Sequence, residues 1–174
     1  MGNDEGMYDY RKATPDQRLR LTRDRLAHGF PPHSPPHPVR HERVYLVTAA
    51  CYEHASHMSA CLRREQLLNA LLEELNSHNV EAQAWAILPN HYHLLVKPRE
   101  FNALGRTLRL IHGRTSRQWN DEDHKSGRKV WYRFTDRVIR SERHYYTTLN
   151  YIHYNPVKHG LAKSPYDWRE SSVH

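Results

Sequence analysis

The chain has 174 residues, enough for one domain with its own hydrophobic core and an appended segment, and its formal net charge is +7 with histidines neutral. The two cysteines, Cys51 and Cys61, stand outside any zinc-finger spacing, which argues against a zinc module and favours a reduced, cytosolic setting. We expect no secretory signal and no membrane span. The basic balance favours nucleic acid as a partner and leaves a solvated basic surface as an equal alternative.

Residues 1–40 are predicted to form a basic arm outside the main domain. The stretch from Thr14, a suitable N-cap, to Gly29, a suitable stop, predicts a short helix. The proline-rich segment 31–38 predicts an extended linker. The arm either contacts DNA phosphates or carries a merely solvated helix, and the arginines available for such contacts are Arg11, Arg18, Arg20, Arg23 and Arg25.

Residues 41–174 are predicted to form the main domain, in which strand-like and helix-like patterns alternate. Pro89 and Asn90 mark a tight turn between two strands, and leucines at helical spacing mark the first helix. The predicted elements are a strand over 43–54, a helix over 61–79, strands over 80–90 and 91–98, a helix over 101–123, a strand over 129–140, and a helix over 141–160 that Ser141 caps and Pro156 brings towards its end.

This order of elements is close to the split ferredoxin-like arrangement with one extra helix at the C-terminus. We therefore predict an α+β fold: a ferredoxin-like antiparallel sheet of three or four strands with helices on one face, plus a C-terminal helix. The fold by itself names no function, because such sheets bind RNA, bind metals or act as enzymes.

The segment "HYHLLVKP" places two histidines two residues apart on a predicted strand. Residues i and i+2 of a strand share one face, so His91 and His93 should point to the same place while Tyr92, Leu94 and Val96 face the other way. Two imidazoles in that arrangement suit a metal ion or a phosphate. With 15 histidines in the chain, such a pair also arises by chance, and two half-exposed histidines on an open sheet face are the alternative.

The last predicted helix carries a second pair of polar residues. Tyr151 and Asn155 stand four residues apart and so share one face, whereas Leu149, Ile152 and Tyr145 are expected to pack on the sheet. Near a metal held by the histidines, Tyr151 would attack a phosphorus atom whose charge the metal withdraws, and a covalent phosphotyrosine would result. Plain packing is the alternative, since the chain has 11 tyrosines.

Two motifs, in the right order and separation, resemble those of a known family. "LPNHYHLLVKP" resembles the HUH motif (His, hydrophobic, His) of single-stranded DNA endonucleases, and "YIHYNPVKHGL" resembles the tyrosine segment of REP-associated tyrosine transposases. These are bacterial relatives of single-tyrosine insertion-sequence transposases. The resemblance covers about residues 41–172, and the long arm before it departs from the family pattern.

The resemblance implies roles for four residues. His91 and His93 match the metal-binding histidines, Tyr151 matches the nucleophile, and Asn155 matches a polar amide that serves as third ligand. It implies Mg or Mn as cofactor, single-stranded or hairpin DNA as partner, and a cytoplasmic, nucleoid-associated location in a bacterium. Two imidazoles suit zinc, nickel or copper better than magnesium, so we expect manganese to support activity well.

The sequence therefore predicts a metal-dependent endonuclease and strand transferase acting at palindromic DNA through a 5′-phosphotyrosine, either as an active transposase or as a domesticated one. The alternative is a non-catalytic nucleic-acid-binding module on a ferredoxin-like sheet. A zinc-binding structural protein has no ligand cluster of zinc-finger spacing in its favour. The target sequence, the cleavage position and the choice between monomer and dimer remain open at this level.

Overall fold

The computed structural model describes residues 43–174 and, within the arm, the four positions Thr14, Asp16, Arg20 and Arg23. Asp16, Arg20 and Arg23 are helical and exposed, in agreement with the helix predicted there. The candidate DNA contacts Arg11, Arg18 and Arg25, and the linker 31–38, lie outside the described residues. All elements named below belong to the unit His41–His174.

Four antiparallel strands form one sheet. They are β1 (Tyr45–Ala50), β2 (Val80–Ile87), β3 (His91–Pro98) and β4 (Thr135–Val138), in the spatial order β2-β3-β1-β4. This is the order of a ferredoxin-like sheet, and it confirms the predicted α+β fold. β1 and β3 are central, and their register sets Thr48 opposite His93 and Ala50 opposite His91.

Two helices cover one face of the sheet. They are α1 (Cys61–Ser77) and α2 (Phe101–Glu122). Each repeats apolar residues at helical spacing, and these side chains pack on alternate residues of β1 and β3. The buried core on this face includes Leu67, Leu71, Leu75, Leu104, Leu108, Ile111, Tyr45, Val47, Tyr92, Leu94 and Val96. Burying each such side chain contributes about 1.5–3 kcal/mol, so this face holds most of the hydrophobic stabilisation.

The third helix, α3 (Glu142–Lys158), packs on the opposite face of the sheet. Its residues Tyr145, Leu149 and Ile152 form a smaller apolar cluster with β2 and β3, as the sequence predicts. The Ser141 hydroxyl accepts a 3.1 Å hydrogen bond from the backbone N–H of His144 and so caps the helix as expected. The helix continues two residues past Pro156.

The fourth strand is shorter than predicted. The pattern predicted a strand over 129–140, but only Thr135–Val138 pairs regularly, and Trp131 makes one isolated bridge to Cys51. Tertiary packing overrides the alternation here. Trp131 turns into the core, where its indole stacks on His112 with ring centroids 4.5 Å apart and donates to Thr115 Oγ1.

The first strand is also shorter than the predicted span 43–54. A short 3-10 turn, Tyr52–His54, follows β1, and within it Glu53 and His54 both have φ of 53°. Left-handed backbone at two successive non-glycine residues ends strand geometry.

The C-terminal segment covers the outer edge of β2. Ile87 N–H donates to the Glu170 carbonyl at 2.9 Å, and Ser172 N–H donates to the Trp85 carbonyl at 3.0 Å. Arg64 fastens the segment to α1 through an ion pair with the Glu170 carboxylate at 3.3 Å. An edge strand covered in this way offers no free backbone groups to a second chain at those positions. Among the described residues, no helix is long and apolar enough to cross a membrane.

Candidate active site

The two predicted histidines of β3 lie side by side on the face opposite α1 and α2. The imidazole centroids of His91 and His93 are 5.0 Å apart. Tyr92, Leu94 and Val96 point into the core on the other face, as the alternation predicts. His93 is buried at 3% exposure, while His91 is half-buried.

α3 brings the other two predicted residues to the same place. The Tyr151 hydroxyl lies 3.4 Å from His93 Nε2, and Asn155 Oδ1 lies 3.1 Å from His91 Nε2. One helical turn separates Tyr151 from Asn155, so each reaches a different histidine. Asn155 is buried at 1% exposure, whereas Tyr151 is 39% exposed and accessible to a substrate.

Two residues that sequence reasoning missed orient the imidazoles. Asn90 Oδ1 is 2.7 Å from His91 Nδ1, and Thr48 Oγ1 is 2.8 Å from His93 Nδ1. Polar partners at Nδ1 hold each ring and leave its Nε2 for a ligand, which is the usual arrangement behind metal-binding histidines. The sequence predicts Asn90 as a turn residue, and its position next to His91 in the chain is the signal that indicates a role at this site. Nothing local distinguishes Thr48, because strand register places it.

The hydrogen-bond pattern around His91 fits a cation between that histidine and Asn155. Asn90 Nδ2 donates to the His54 carbonyl at 3.2 Å, so Asn90 Oδ1 accepts from His91 Nδ1. The Nε2 of a neutral His91 is then an acceptor, and it faces the Asn155 Oδ1 acceptor. Asn155 Nδ2 is buried without a partner among the described residues. Two nitrogens and one amide oxygen are a plausible donor set for a divalent ion such as manganese.

The electrostatics keep both histidines neutral. Burial, aided by neighbouring His91, His159 and Lys158, lowers the pKa of His93 to about 3. Burial also lowers the pKa of His91, against the opposing effect of the Asn155 oxygen, which favours a protonated Nε2. Metal binding requires a neutral imidazole, so both rings are in the required state at neutral pH.

Two basic residues at the end of α3 border the site. The His159 ring centroid is 5.1 Å from that of His91, and Lys158 Nζ lies 5.4 Å from the centre of the Tyr151 ring. Both residues are exposed. The ammonium of Lys158 adds positive charge where a phosphate would approach Tyr151, and sequence reasoning assigned no role to either residue.

The predicted arginines of the arm fall in the other unit, Met1–Arg40, where the structure describes two of them, Arg20 and Arg23. Arg20 and Arg23 are exposed on helical backbone, and nothing in their surroundings assigns them a ligand. Their contact with DNA stays a prediction, as does that of the three arginines outside the described residues.

A separate cluster of Cys61, Glu65 and Glu170 has metal-compatible spacing within the described part of the chain. Its geometry is accounted for by hydrogen bonds. The Cys61 thiol donates to Glu170 Oε1 at 3.0 Å, and these carboxylates raise the pKa of the thiol. Arg64 neutralises Glu170. The cluster therefore fastens the C-terminal segment to α1.

The fold and site together define a class: a ferredoxin-like domain in which a His–hydrophobic–His strand faces a tyrosine on the helix that packs on the same side of the sheet. The chain belongs to the IS200-like transposase family, whose model, described as "Transposase IS200 like", matches residues 42–155.

Known relatives agree with this assignment. The chain is 32% identical to the REP-associated tyrosine transposase of Escherichia coli K12 over 123 residues, 64% of this chain and 70% of that protein. It is 36% identical over 107 residues to a protein of Haemophilus influenzae that carries the same family name, 54% of this chain and 59% of that protein.

A solved structure of a REP-associated tyrosine transposase bound to a REP hairpin has a similar fold. It superposes with a TM-score of 0.64 at 23% identity, over 81% of this chain and 82% of that one. This likeness supports the fold.

Proposed function

We propose that this protein is a metal-dependent endonuclease and strand transferase that acts on single-stranded or hairpin DNA through a covalent 5′-phosphotyrosine. The observation that carries the proposal is the convergence of His91, His93, Asn155 and the hydroxyl of a partly exposed Tyr151 at one point. Membership of a transposase family and the structural neighbour bound to a hairpin agree with it.

In the proposed reaction, Tyr151 Oη attacks the phosphorus of a phosphodiester. A bond forms between the phenolic oxygen and the 5′-phosphate, the bond from phosphorus to the 3′ oxygen breaks, the phenol loses its proton, and the leaving oxygen takes one up as a 3′-hydroxyl. The reverse step, with a different 3′-hydroxyl, transfers the strand. The rigid core beneath β3 and α3 holds the reacting groups in place, which lowers the entropic part of the barrier.

His91, His93 and Asn155 would hold a divalent ion, Mg or Mn. Such an ion supplies Lewis-acid withdrawal of charge from a phosphate oxygen. Thr48 and Asn90 hold the imidazoles in the orientation that exposes Nε2. Because two of the three donors are imidazole nitrogens, we expect manganese to support activity better than magnesium.

An open part of the same sheet face offers a path for the DNA backbone. Thr135 and Arg137 of β4 stand opposite Thr48 and Leu46 of β1, and residues directly opposite each other share a face. Arg133 and Arg137 are exposed. Their guanidinium groups would contact the phosphates of a bound strand. The proposed activity also implies that the protein works in the bacterial cytoplasm, at the nucleoid.

The test is covalent capture. The full-length protein is incubated with a hairpin oligonucleotide and Mn²⁺, and a denaturing gel is read for a slow, protease-sensitive band whose strand is then sequenced. Tyr151→Phe should lose the band while keeping its fold, because only the phenol oxygen is removed.

Tyr154→Phe is the matched control, since Tyr154 lies on the same helix and is 59% exposed. It should form the adduct as the wild type does. An undiminished adduct in Tyr151→Phe would contradict the assignment of the nucleophile. Binding without any adduct in the wild type would favour the non-catalytic nucleic-acid-binding module.

A further inference from the structure

An aromatic and cationic cluster lies just past the end of β1, outside the residues given roles above. The rings of Tyr52 and Tyr132 pack with centroids 4.9 Å apart. Lys129 Nζ lies 4.3 Å from the centre of the Tyr52 ring and 5.5 Å from that of Tyr132. Tyr132 is 38% exposed, and Lys129 is exposed. The cluster thus offers aromatic surface and an ammonium group to a ligand from solvent.

The cluster stands on a rigid base. Tyr52 N–H donates to the Val130 carbonyl at 2.7 Å, and Tyr132 N–H donates to the Ala50 carbonyl at 2.9 Å. Val130 and Trp131, which lie between Lys129 and Tyr132 in the chain, are buried in the core. Because the backbone beneath the rings is fixed, a ligand would pay little to order it.

The cluster is joined to the candidate active site through backbone and side chain. Ala50, whose carbonyl accepts the hydrogen bond from Tyr132 N–H, is the strand partner of His91. Asn90 bonds the His54 carbonyl with one end of its amide and His91 with the other. The Tyr132 ring centroid lies 6.2 Å from that of His54, the residue whose carbonyl Asn90 bonds, so the aromatic cluster stands beside the turn that adjoins His91.

The turn that carries Tyr52 is strained. Glu53 and His54 both have φ of 53°, left-handed backbone that is unfavourable for non-glycine residues. Such strain concentrates at ligand sites, where surrounding structure maintains it. Here the Asn90 bond to the His54 carbonyl holds the turn beside His91.

We propose that Tyr52, Tyr132 and Lys129 form a stacking subsite for an unpaired nucleotide of the DNA strand whose phosphate reaches His91 and His93. A nucleobase stacks on the exposed Tyr132 ring, and the ammonium of Lys129 moves from the ring faces to the adjoining phosphate. The inference rests on the proposed function for its ligand and adds to it the three residues that would hold an unpaired base beside the scissile bond.

The chemistry favours this ligand. A single strand presents a π-face and a phosphate at each step, and stacking on an aromatic side chain is worth about 1–3 kcal/mol per base. Loss of the ring should therefore weaken binding by about 5- to 150-fold. A paired duplex hides the base faces, so a blunt hairpin should not use the subsite.

The test measures fluorescence anisotropy of two hairpin oligonucleotides, one blunt and one with an unpaired extension, in the absence of added metal. The variants are Tyr132→Leu, which removes the ring, and Tyr132→Phe, which keeps it. Tyr166→Leu is the matched control, because Tyr166 is 68% exposed and lies in the C-terminal segment. Circular dichroism checks that each variant is folded.

Tyr132→Leu should bind the extended hairpin 5- to 150-fold more weakly and the blunt hairpin as the wild type does, while the other two variants should match the wild type on both. A 2-aminopurine base in the extension should change its emission on binding to the wild type and not to Tyr132→Leu. Lys129→Gln should reduce the slope of log affinity against log salt concentration by about 0.7–0.9, which is the contribution of one phosphate contact.

Unchanged binding by Tyr132→Leu, or an equal loss on the blunt hairpin, would overturn the subsite and leave Lys129 as a structural cation over two rings. No wild-type preference for the extended hairpin would overturn it as well. Adduct formation at Tyr151, measured in parallel, separates the two proposals. If the adduct forms but binding does not depend on Tyr132, only the proposed subsite is contradicted. If binding depends on Tyr132 but no adduct forms, only the proposed cleavage activity is contradicted.

Discussion

Each histidine of the candidate site depends on a neighbour that holds its ring. Asn90 and Thr48 occupy the two Nδ1 positions, so both Nε2 atoms point towards α3. Burial keeps the pKa of both rings low, so the rings remain neutral ligands. The proposed chemistry therefore rests on four side chains and on the two that position them.

Replacing either histidine by alanine should abolish cleavage and leave hairpin binding largely intact. In the proposed mechanism the imidazoles hold the metal, whereas we expect the affinity to come mainly from phosphate contacts made elsewhere. Adduct formation and anisotropy are measured for His91→Ala and His93→Ala, with EDTA added to the wild type as a parallel arm. Cleavage that survives both EDTA and the double variant would rule out the metal role.

Thr48→Val should lower the affinity for Mn²⁺ by about 10- to 100-fold, because loss of the partner at Nδ1 frees the His93 ring to turn. Isothermal calorimetry measures the affinity directly, without reference to activity. Thr48→Ser keeps the hydroxyl and should restore it.

Thr135→Val is the matched control for this prediction. Thr135 is the strand partner of Thr48, and its hydroxyl is 3.5 Å from the Thr48 carbonyl, so the same substitution is made one strand away. Equal Mn²⁺ affinity for Thr48→Val and the wild type would show that Thr48 does not position His93.

Two elements from distant parts of the chain build the site. β3 supplies the histidines with the two-residue period of a strand, and α3 supplies Tyr151 and Asn155 with the four-residue spacing of a helix. α3 is fixed on the sheet by Tyr145, Leu149 and Ile152, so the apolar side of the helix determines how far the Tyr151 hydroxyl stands from His93.

The basic arm is a further element of the chain, and we expect it to contact DNA. The proline-rich segment 31–38, if extended as its sequence predicts, would span roughly 25 Å, long enough to bring a helix to a bound hairpin. Each phosphate contact adds about 0.7–0.9 to the salt slope, so five arginines could contribute up to about 4. Deleting residues 1–30 should therefore weaken hairpin binding and flatten its dependence on salt.

The measurement for the arm is hairpin affinity at several salt concentrations for the full-length and truncated proteins. A full-length variant with all five arginines changed to glutamine controls for loss of the helix itself and should behave like the truncation. Cutting at saturating substrate should change little. Identical slopes for all three proteins would show that the arm does not contact DNA.

The sheet divides the molecule into a stabilising face and a chemical face. The large core under α1 and α2 contains one buried polar group of special interest, His112. His112 Nε2 lies 2.7 Å from the Tyr92 hydroxyl, and its ring stacks on Trp131. Burial lowers the pKa of His112 to about 4. Tyr92 precedes His93, so this core group supports the strand that carries the site.

Stability should fall on acidification through His112. The folded-state pKa lies below the ordinary value near 6.5, so the unfolded chain binds more protons between about pH 4 and 6.5. The stabilisation is fully present above pH 6.5 and is lost as pH falls towards 4. From pH 7 to pH 5 the loss from His112 should be about 2 kcal/mol.

Urea unfolding at pH 7 and pH 5 measures this loss. The wild type also loses stability through other buried histidines, so the comparison is with His112→Gln, in which the pH dependence should be smaller by about 2 kcal/mol. His124→Asn, an exposed position with φ of 52°, should keep the wild-type dependence. An unchanged dependence in His112→Gln would contradict the role of His112.

Local patterns in the sequence determined much of this protein. The alternation at 91–98 placed His91 and His93 on one face and Tyr92 in the core, and helical spacing placed Tyr151 beside Asn155 and opposite Ile152. Element order predicted the ferredoxin-like sheet. These inferences succeeded because side-chain direction in a strand or helix repeats over two to four residues, and a sequence records that repeat directly.

Only the tertiary structure decided which faces meet. Tyr151 and His93 are 58 residues apart, and they meet because α3 packs on the face that α1 and α2 leave open. Thr48 and His93 are 45 residues apart, and they meet because the strand register sets them opposite each other. The predicted fourth strand is interrupted because Trp131 turns into the core and stacks on His112. Strand register and packing partners depend on the free energy of the whole fold, so a local repeat in the sequence does not predict them.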